Sequence, residues 1–165
     1  MRARAQRQPE PAPIDVALRF LAPRPRSEQE VRRRLRRAGV AEEAVEGVVT
    51  QLRQHGLVDD AAFAEYWLQQ RQTFRPRGAR LVRAELRQHG IATDLATAAA
   101  DGLAGSAEAD AYRAVHKRAA LLATADERTF KQRLSQFLAR RGFDWEVVSA
   151  VVERLYQEVN SSRTT

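Results

Sequence analysis

The sequence predicts an all-α protein built from three tandem three-helix repeats, and three observations carry that reading. A helix-like run ends three times in leucine, three residues, glycine and an apolar residue: Leu35 to Gly39-Val40, Leu86 to Gly90-Ile91, and Leu138 to Gly142-Phe143. The glycines lie 51 and 52 residues apart, and the copies share more than the glycine. Val31, Val82 and Leu134 stand eight residues before it, and Leu52, Leu103 and Leu155 thirteen after it. No stretch of β-branched alternation competes with this helical periodicity. One supersecondary unit is used three times.

The offsets give the unit its physics. Apolar residues eight and four positions before the glycine stack on one helical face. The glycine falls where a helix ends in the left-handed conformation, and the apolar residue after it closes the cap. Acidic or small residues then open the next helix: Glu42 and Glu43, Thr93 and Asp94, Asp144 and Glu146. Their carboxylates complement the positive end of the helix dipole.

A further helix precedes each pair. Residues 14–22 are apolar at Leu18 and Leu21, and Pro23 and Pro25 stop the run. Residues 60–72 carry Phe63, Tyr66 and Trp67 with a basic end at Arg71. Residues 106–123 carry Tyr112, Val115, Ala119 and Leu122 at spacings of three and four. Ser27 to Glu30 has the form of a capping box for the second helix of the first repeat. The closing helices show the same stripe, in Val45, Val48, Val49 and Leu52 and again in Val148, Val151, Val152 and Leu155. Repeats are expected at 14–58, 59–105 and 106–158. They are flanked by a disordered basic arm at 1–13 and a disordered tail at 159–165.

At 165 residues and 44% hydrophobic content the chain suits one domain or a short array. A unit of about 50 residues buries too little surface alone, so neighbouring repeats are expected to share interfaces. The absence of cysteine removes disulfide staples and thiol chemistry. No apolar run approaches the length of a membrane span, and no signal-peptide core follows the first residues. A soluble cytoplasmic monomer is the expectation.

The charge asks for an acidic partner. Twenty-eight basic residues face 21 acidic ones, a net charge of +7. Residues 1–58 hold 12 basic and 7 acidic groups, 59–108 hold 6 and 7, and 109–165 hold 10 and 7. Within the repeats the charge concentrates on the second helices. A single arginine there is ordinarily a solvated charge or a complement to the helix C-terminus, and with only Lys117 and Lys131 as lysines, arginine richness also fits a compositional bias. The set as a whole points to an anionic partner surface. A groove-reading helix-turn-helix fits poorly, because the element after each glycine is acidic or alanine-rich at its N-terminal end.

Catalytic constellations are missing from the sequence. His55, His89 and His116 are scattered without metal-ligand spacing, and His55 and His89 each precede a turn glycine. Asp59-Asp60 reads as a helix cap rather than a metal site. No phosphate-cradling glycine run exists. The expectation is a protein that is not an enzyme, with no cofactor, no metal and no small-molecule substrate.

One segment is more specific. Gly56-Leu-Val-Asp-Asp60-Ala-Ala-Phe63-Ala-Glu-Tyr66-Trp67, then Arg71, then Arg77-Gly78 through Glu85-Leu86 to Gly90-Ile91, resembles the central signature of the bacterial RecX regulatory family. Ala17 to Leu21 with Ser27 to Leu35 resembles that family's opening, and Phe137 to Phe143 its last module. The likeness covers about residues 15–156. It implies tandem three-helix modules in an extended, curved array, and a cytoplasmic modulator of the recombinase RecA. Such proteins bind RecA and its filament on single-stranded DNA and restrain ATPase, strand exchange and co-protease activity. The resemblance supplies no catalytic residue. The Arg75-Pro76-Arg77 linker and the proline-rich N-terminal arm are its less typical parts.

Candidate contacts to RecA or to DNA phosphate are Arg33, Arg37, Arg71, Arg75, Arg77, Arg80, Arg83, Arg140 and Arg141. Arg77, Arg80 and Arg83 are expected to form a ladder on one helical face. The competing reading is a helical-repeat protein that binds nucleic acid nonspecifically, without a recombinase partner. A third is a pure protein-interaction scaffold whose charge serves solubility.

Overall fold

The computed structural model describes residues 11–164, so most of the expected basic arm, and Thr165, lie outside the described residues. Among those residues every regular element is helical. The helices are α1 (Pro13–Leu21), α2 (Glu28–Arg37), α3 (Glu42–Gln54), α4 (Asp60–Phe74), α5 (Ala79–Gln88), α6 (Thr93–Asp101), α7 (Ala107–Leu121), α8 (Glu127–Arg140) and α9 (Trp145–Thr164), with one 3-10 turn at Ala104–Ser106. They fall into three successive sets of three, and two compact units divide within α4, between Phe63 and Ala64.

In the first unit α1, α2 and α3 close on Val16, Ala17, Val31, Leu35, Val45, Val49, Leu52 and Val58. Leu18 departs from the expected stripe. It is 40% exposed, and Val16 and Ala17 face the core instead, with Ile14, Phe20 and Leu21 packed beside them. The Ser27 capping box forms as read: its hydroxyl accepts from the Glu30 N–H at 3.2 Å, and Glu30 accepts from the Ser27 N–H at 3.1 Å. Asp59 caps α4 by accepting from the Ala61 N–H at 2.8 Å. Asp60 instead accepts from the Glu28 N–H at 2.9 Å, which fixes the start of α4 to the start of α2. Burial pushes the Asp60 carboxyl above its ordinary value. The expected caps of α3 and α6 differ in detail. Ala41 and Ala92 hold the N-cap positions without side-chain bonds, so Glu42, Glu43 and Asp94 act through the helix dipole from the first turn.

In the second unit α7, α8 and α9 enclose Val115, Phe130, Leu134, Leu138, Phe143, Val148, Val152 and Leu155. The closing helix continues to Thr164, where the sequence reading stopped the repeat at 158 and expected a disordered tail. Val159 packs against the core, and the Ser161 and Ser162 hydroxyls donate to the Gln157 and Glu158 carbonyls at 2.9 Å each, which carries the helix onward.

The glycine turns are the common element. Gly39, Gly90 and Gly142 have φ of 78°, 85° and 83°. At each, the following N–H donates to the carbonyl of the signature leucine: Val40 to Leu35 at 3.2 Å, Ile91 to Leu86 at 3.0 Å and Phe143 to Leu138 at 3.3 Å. This is the six-to-one bond of a Schellman cap, completed by the glycine N–H bonding back three residues. Gly56 makes a fourth such turn, with φ of 65° and Leu57 bonded to Leu52 at 2.9 Å. All the signature apolar positions are buried except Val40, which is half-buried.

The equivalent glycines are not equally tolerant. A Cβ on Gly39 would meet open space, whereas one on Gly142 would lie 2.5 Å from the Leu81 Cβ. Gly39→Ala is expected to lose about 1–2 kcal/mol for its left-handed backbone alone. Gly142→Ala is expected to lose about 1–3 kcal/mol more through overpacking. Urea denaturation of the two variants checks this, and equal losses would show that the contact on Gly142 yields freely.

Candidate functional site

The cationic side chains of the second unit are organised by one backbone junction. Pro76 disfavours helix in the residue before it, so α4 ends at Phe74 and the chain turns through Arg75-Pro76-Arg77. Gly78 then caps α5 in extended conformation, with φ −74° and ψ 161°. Its N–H donates to the Arg141 carbonyl at 2.9 Å, and a Cβ there would collide with the backbone of Gly142. Arg80 donates to the Ala139 carbonyl at 2.8 Å, and Arg141 donates to the Pro76 carbonyl at 3.3 Å. The positive end of α5 thus rests on the negative end of α8, with donors and acceptors matched.

A buried carboxylate holds the other side of the linker. Glu85 is 7% exposed on α5, between Val82 and Leu86 on the apolar face. It accepts from the Trp67 indole N–H at 2.8 Å and from Arg71 Nε at 2.7 Å, and its other oxygen pairs with Arg77. Arg71 also lies over the Trp67 ring, 4.3 Å from its centroid. One carboxylate therefore serves two guanidiniums and an indole.

Arg77 also borders a cavity lined by Asp101, Asp110 and Asp144, but on the linker's other side only cations gather. Arg75, Arg77, Arg140 and Arg141 line a cleft of about 180 Å³ together with Leu81, and among the described residues no carboxylate lines it. Burial and the neighbouring charges of Arg71, Arg141 and Arg75 hold the Arg77 guanidinium below its ordinary pKa. Burial, then Arg75 and Arg118, does the same to Arg141. Both Arg141 and Arg118 lie over the Phe137 ring, at 4.7 and 4.8 Å from its centroid.

The expected contact residues thus separate into groups. Arg75, Arg77, Arg140 and Arg141 converge. Arg71 is tied to Glu85 beside them. Arg80 is exposed and tied by one donor to the Ala139 carbonyl, and Arg83 stands half-buried on α5. The expected ladder of Arg77, Arg80 and Arg83 does not form, because Arg77 precedes the helix and turns to Glu85. In the first unit Arg33 and Arg37 are exposed on α2. Their neighbours Arg32 and Arg36 pair with Glu46 and Glu42 across the turn, and Arg32 also with Glu28 at 3.0 Å. Two contributors escaped the sequence reading: Glu85 and Arg118. A carboxylate on the Val82–Leu86 stripe was the available signal for the first.

Among the described residues no group of His, Cys, Asp or Glu is placed to hold a metal ion. His55 and His89 are the C-cap residues of α3 and α5. No helix among those residues is long and apolar enough to cross a membrane.

The fold defines a tandem-repeat helical protein made of three-helix modules. Comparison with known proteins narrows the class. Residues 14–52 match the RecX first three-helix domain, 59–99 the second and 107–152 the third. The regulatory protein RecX of Amycolatopsis mediterranei (strain U-32) is 34% identical over 151 residues, covering 91% of this chain and 86% of that one. The regulatory protein RecX of Thermobifida fusca (strain YX) is 37% identical over 129 residues, covering 78% and 70%. The crystal structure of RecX from Lactobacillus salivarius superposes with a TM-score of 0.74 over 87% of this chain and 94% of that one, at 20% identity, a likeness of fold. The chain belongs to the RecX family of regulatory proteins.

Glu85 gives this site a direct test. Glu85→Gln keeps the shape but removes the charge facing Arg71 and Arg77. It is expected to cost about 1–3 kcal/mol, the usual effect of unpairing a largely buried charge. The shift in urea midpoint measures it, and the loss should shrink when Arg77→Gln is already present. An unchanged midpoint would mean that solvent already satisfies both guanidiniums.

Proposed function

We propose that this chain regulates the recombinase RecA in the cytoplasm, binding RecA and its filament on single-stranded DNA and inhibiting ATPase and strand exchange. The observation that carries the reading is membership of the RecX family across all three of its three-helix domains. The arginines of the second unit suit it. A RecA filament offers DNA phosphates and protein carboxylates in one groove, and guanidiniums recognise both oxyanions with the same forked donors. In this reading the repeats lie along the groove as a monomer. DNA supplies a salt-dependent share of the affinity and RecA supplies selectivity. Occupying the groove excludes duplex DNA and restrains the subunit movements that accompany hydrolysis.

The test is RecA ATPase on single-stranded DNA with the purified chain titrated in. Turnover is expected to fall as the chain approaches stoichiometry with RecA, and strand exchange with it. The chain alone is expected to hydrolyse no nucleotide and cut no DNA. Indifference of both RecA activities to a large excess would overturn the proposal.

A further inference from the structure

The cleft between the linker and the end of α8 has properties that folding alone does not require. Four arginines from two repeats line a shared space of about 180 Å³: Arg75 and Arg77 precede α5, while Arg140 and Arg141 end α8. Like charges held this close repel one another, and partial burial strengthens the repulsion by lowering the local dielectric. The carboxylate paired with the cluster, Glu85, is already shared between Arg71 and Arg77. Arg75 and Arg140 are exposed and make no ion pair among the described residues. A surface arrangement free to relax would let these side chains spread.

The structure instead restrains half of them. Arg141 is fixed by its bond to the Pro76 carbonyl and by the Phe137 ring, and Arg77 by Glu85. Each restraint occupies a small part of a guanidinium that carries five N–H donors. The remaining donors, with those of the exposed Arg75 and Arg140, are what a tetrahedral oxyanion needs: several forked partners from different directions, with room left for bridging water. Groups perturbed by burial and like charge in a cleft, as Arg77 and Arg141 are, make that cleft a candidate functional site.

We propose that this cleft is a phosphate-binding site, with Arg75, Arg77, Arg140 and Arg141 as its ligands. The phosphate can belong to the phosphodiester backbone of a single strand or to the terminal group of a free nucleotide or polyphosphate. Because the guanidiniums come from the second and third repeats, the bound anion also clamps the linker before α5 to the end of α8. Binding therefore stabilises the fold, as any ligand specific to the native state does. The site deepens the proposed function, in which these arginines already meet DNA phosphate, but its test requires no RecA.

The experiment uses the full chain without RecA, in a phosphate-free buffer, with two probes: sodium pyrophosphate and a 20-nucleotide oligo(dT). Thermal unfolding and titration calorimetry are the readouts. Wild type is expected to gain about 2–4 °C in Tm at saturation with the preferred probe. Arg75→Gln with Arg140→Gln removes two ligands that make no internal ion pair, so its unliganded Tm should stay close to wild type while affinity falls at least tenfold. Arg19→Gln with Arg128→Gln removes the same charge elsewhere and should keep wild-type affinity within about twofold. If oligo(dT) binds and pyrophosphate does not, the phosphodiester is the source, and the cleft variant should show a shallower salt dependence. If pyrophosphate binds and oligo(dT) does not, the source is a free phosphate. The proposal is overturned if wild type binds neither probe, or if the cleft and control variants lose affinity equally. Either result leaves RecA inhibition to be judged by its own assay.

Discussion

The second unit depends on a missing side chain at Gly142. The end of α8 has to turn left-handed so that Phe143 can bond back to Leu138 and enter the core, and glycine does this without a Cβ penalty. The same position is covered by Leu81 of α5, closely enough that no Cβ fits. One glycine therefore terminates a helix and receives another. Gly78 is the complementary half of the contact, since it too has no room for a Cβ and its N–H reaches the Arg141 carbonyl. With that junction closed, repeats two and three share a single compact unit, although the sequence presents them as equal members of a series of three.

The junction also sets the electrostatics. Once α5 starts against α8, the Arg75-Pro76-Arg77 linker is drawn beside Arg140 and Arg141, and guanidiniums far apart in sequence share one cleft. Such crowding opposes folding, and the structure offsets it locally. Glu85 neutralises part of Arg71 and Arg77, Trp67 and Phe137 provide aromatic faces, and the carbonyls of Pro76 and Ala139 accept from Arg141 and Arg80. These contacts decide which arginines are rigid and which stay available. Charge density in the sequence does not decide it.

What the sequence made legible is local. The left-handed glycines, the leucine four residues earlier, the Ser27 capping box and the Asp59 cap each depend on residues within a turn of one another, so spacing reveals them. The contact of Gly78 with Gly142 joins residues 64 positions apart, and no periodicity encodes it. Arg80 shows the consequence. Its spacing from Arg77 and Arg83 suggests a ladder, but its guanidinium is oriented by the Ala139 carbonyl, a partner that exists only once two repeats have docked. Leu18 failed for a simpler reason. In a nine-residue helix beginning at Pro13 two apolar faces compete, and Val16 with Ala17 won the core side. The carboxyl end escaped because composition marked 159–165 as tail, while Val159 and two serine-to-carbonyl bonds extend the helix.

Sequence equivalence and functional equivalence separate at the residues just before each glycine. All three repeats place arginines there, and the dipole at a helix C-terminus is reason enough for them. In the first repeat Arg36 crosses the turn to Glu42, whereas Arg37 remains in solvent. In the third, Arg140 matches Arg37 and Arg141 stands one residue nearer the glycine, but the surface they meet is the start of another repeat, and among the described residues no carboxylate lines the cleft. The difference arises from what docks on the turn, not from the turn itself. A repeat can keep its folding signature intact and acquire an arginine-lined cleft merely by changing its neighbour. That explains how a uniform helix–glycine–helix unit yields a chain whose cationic sites are not uniform.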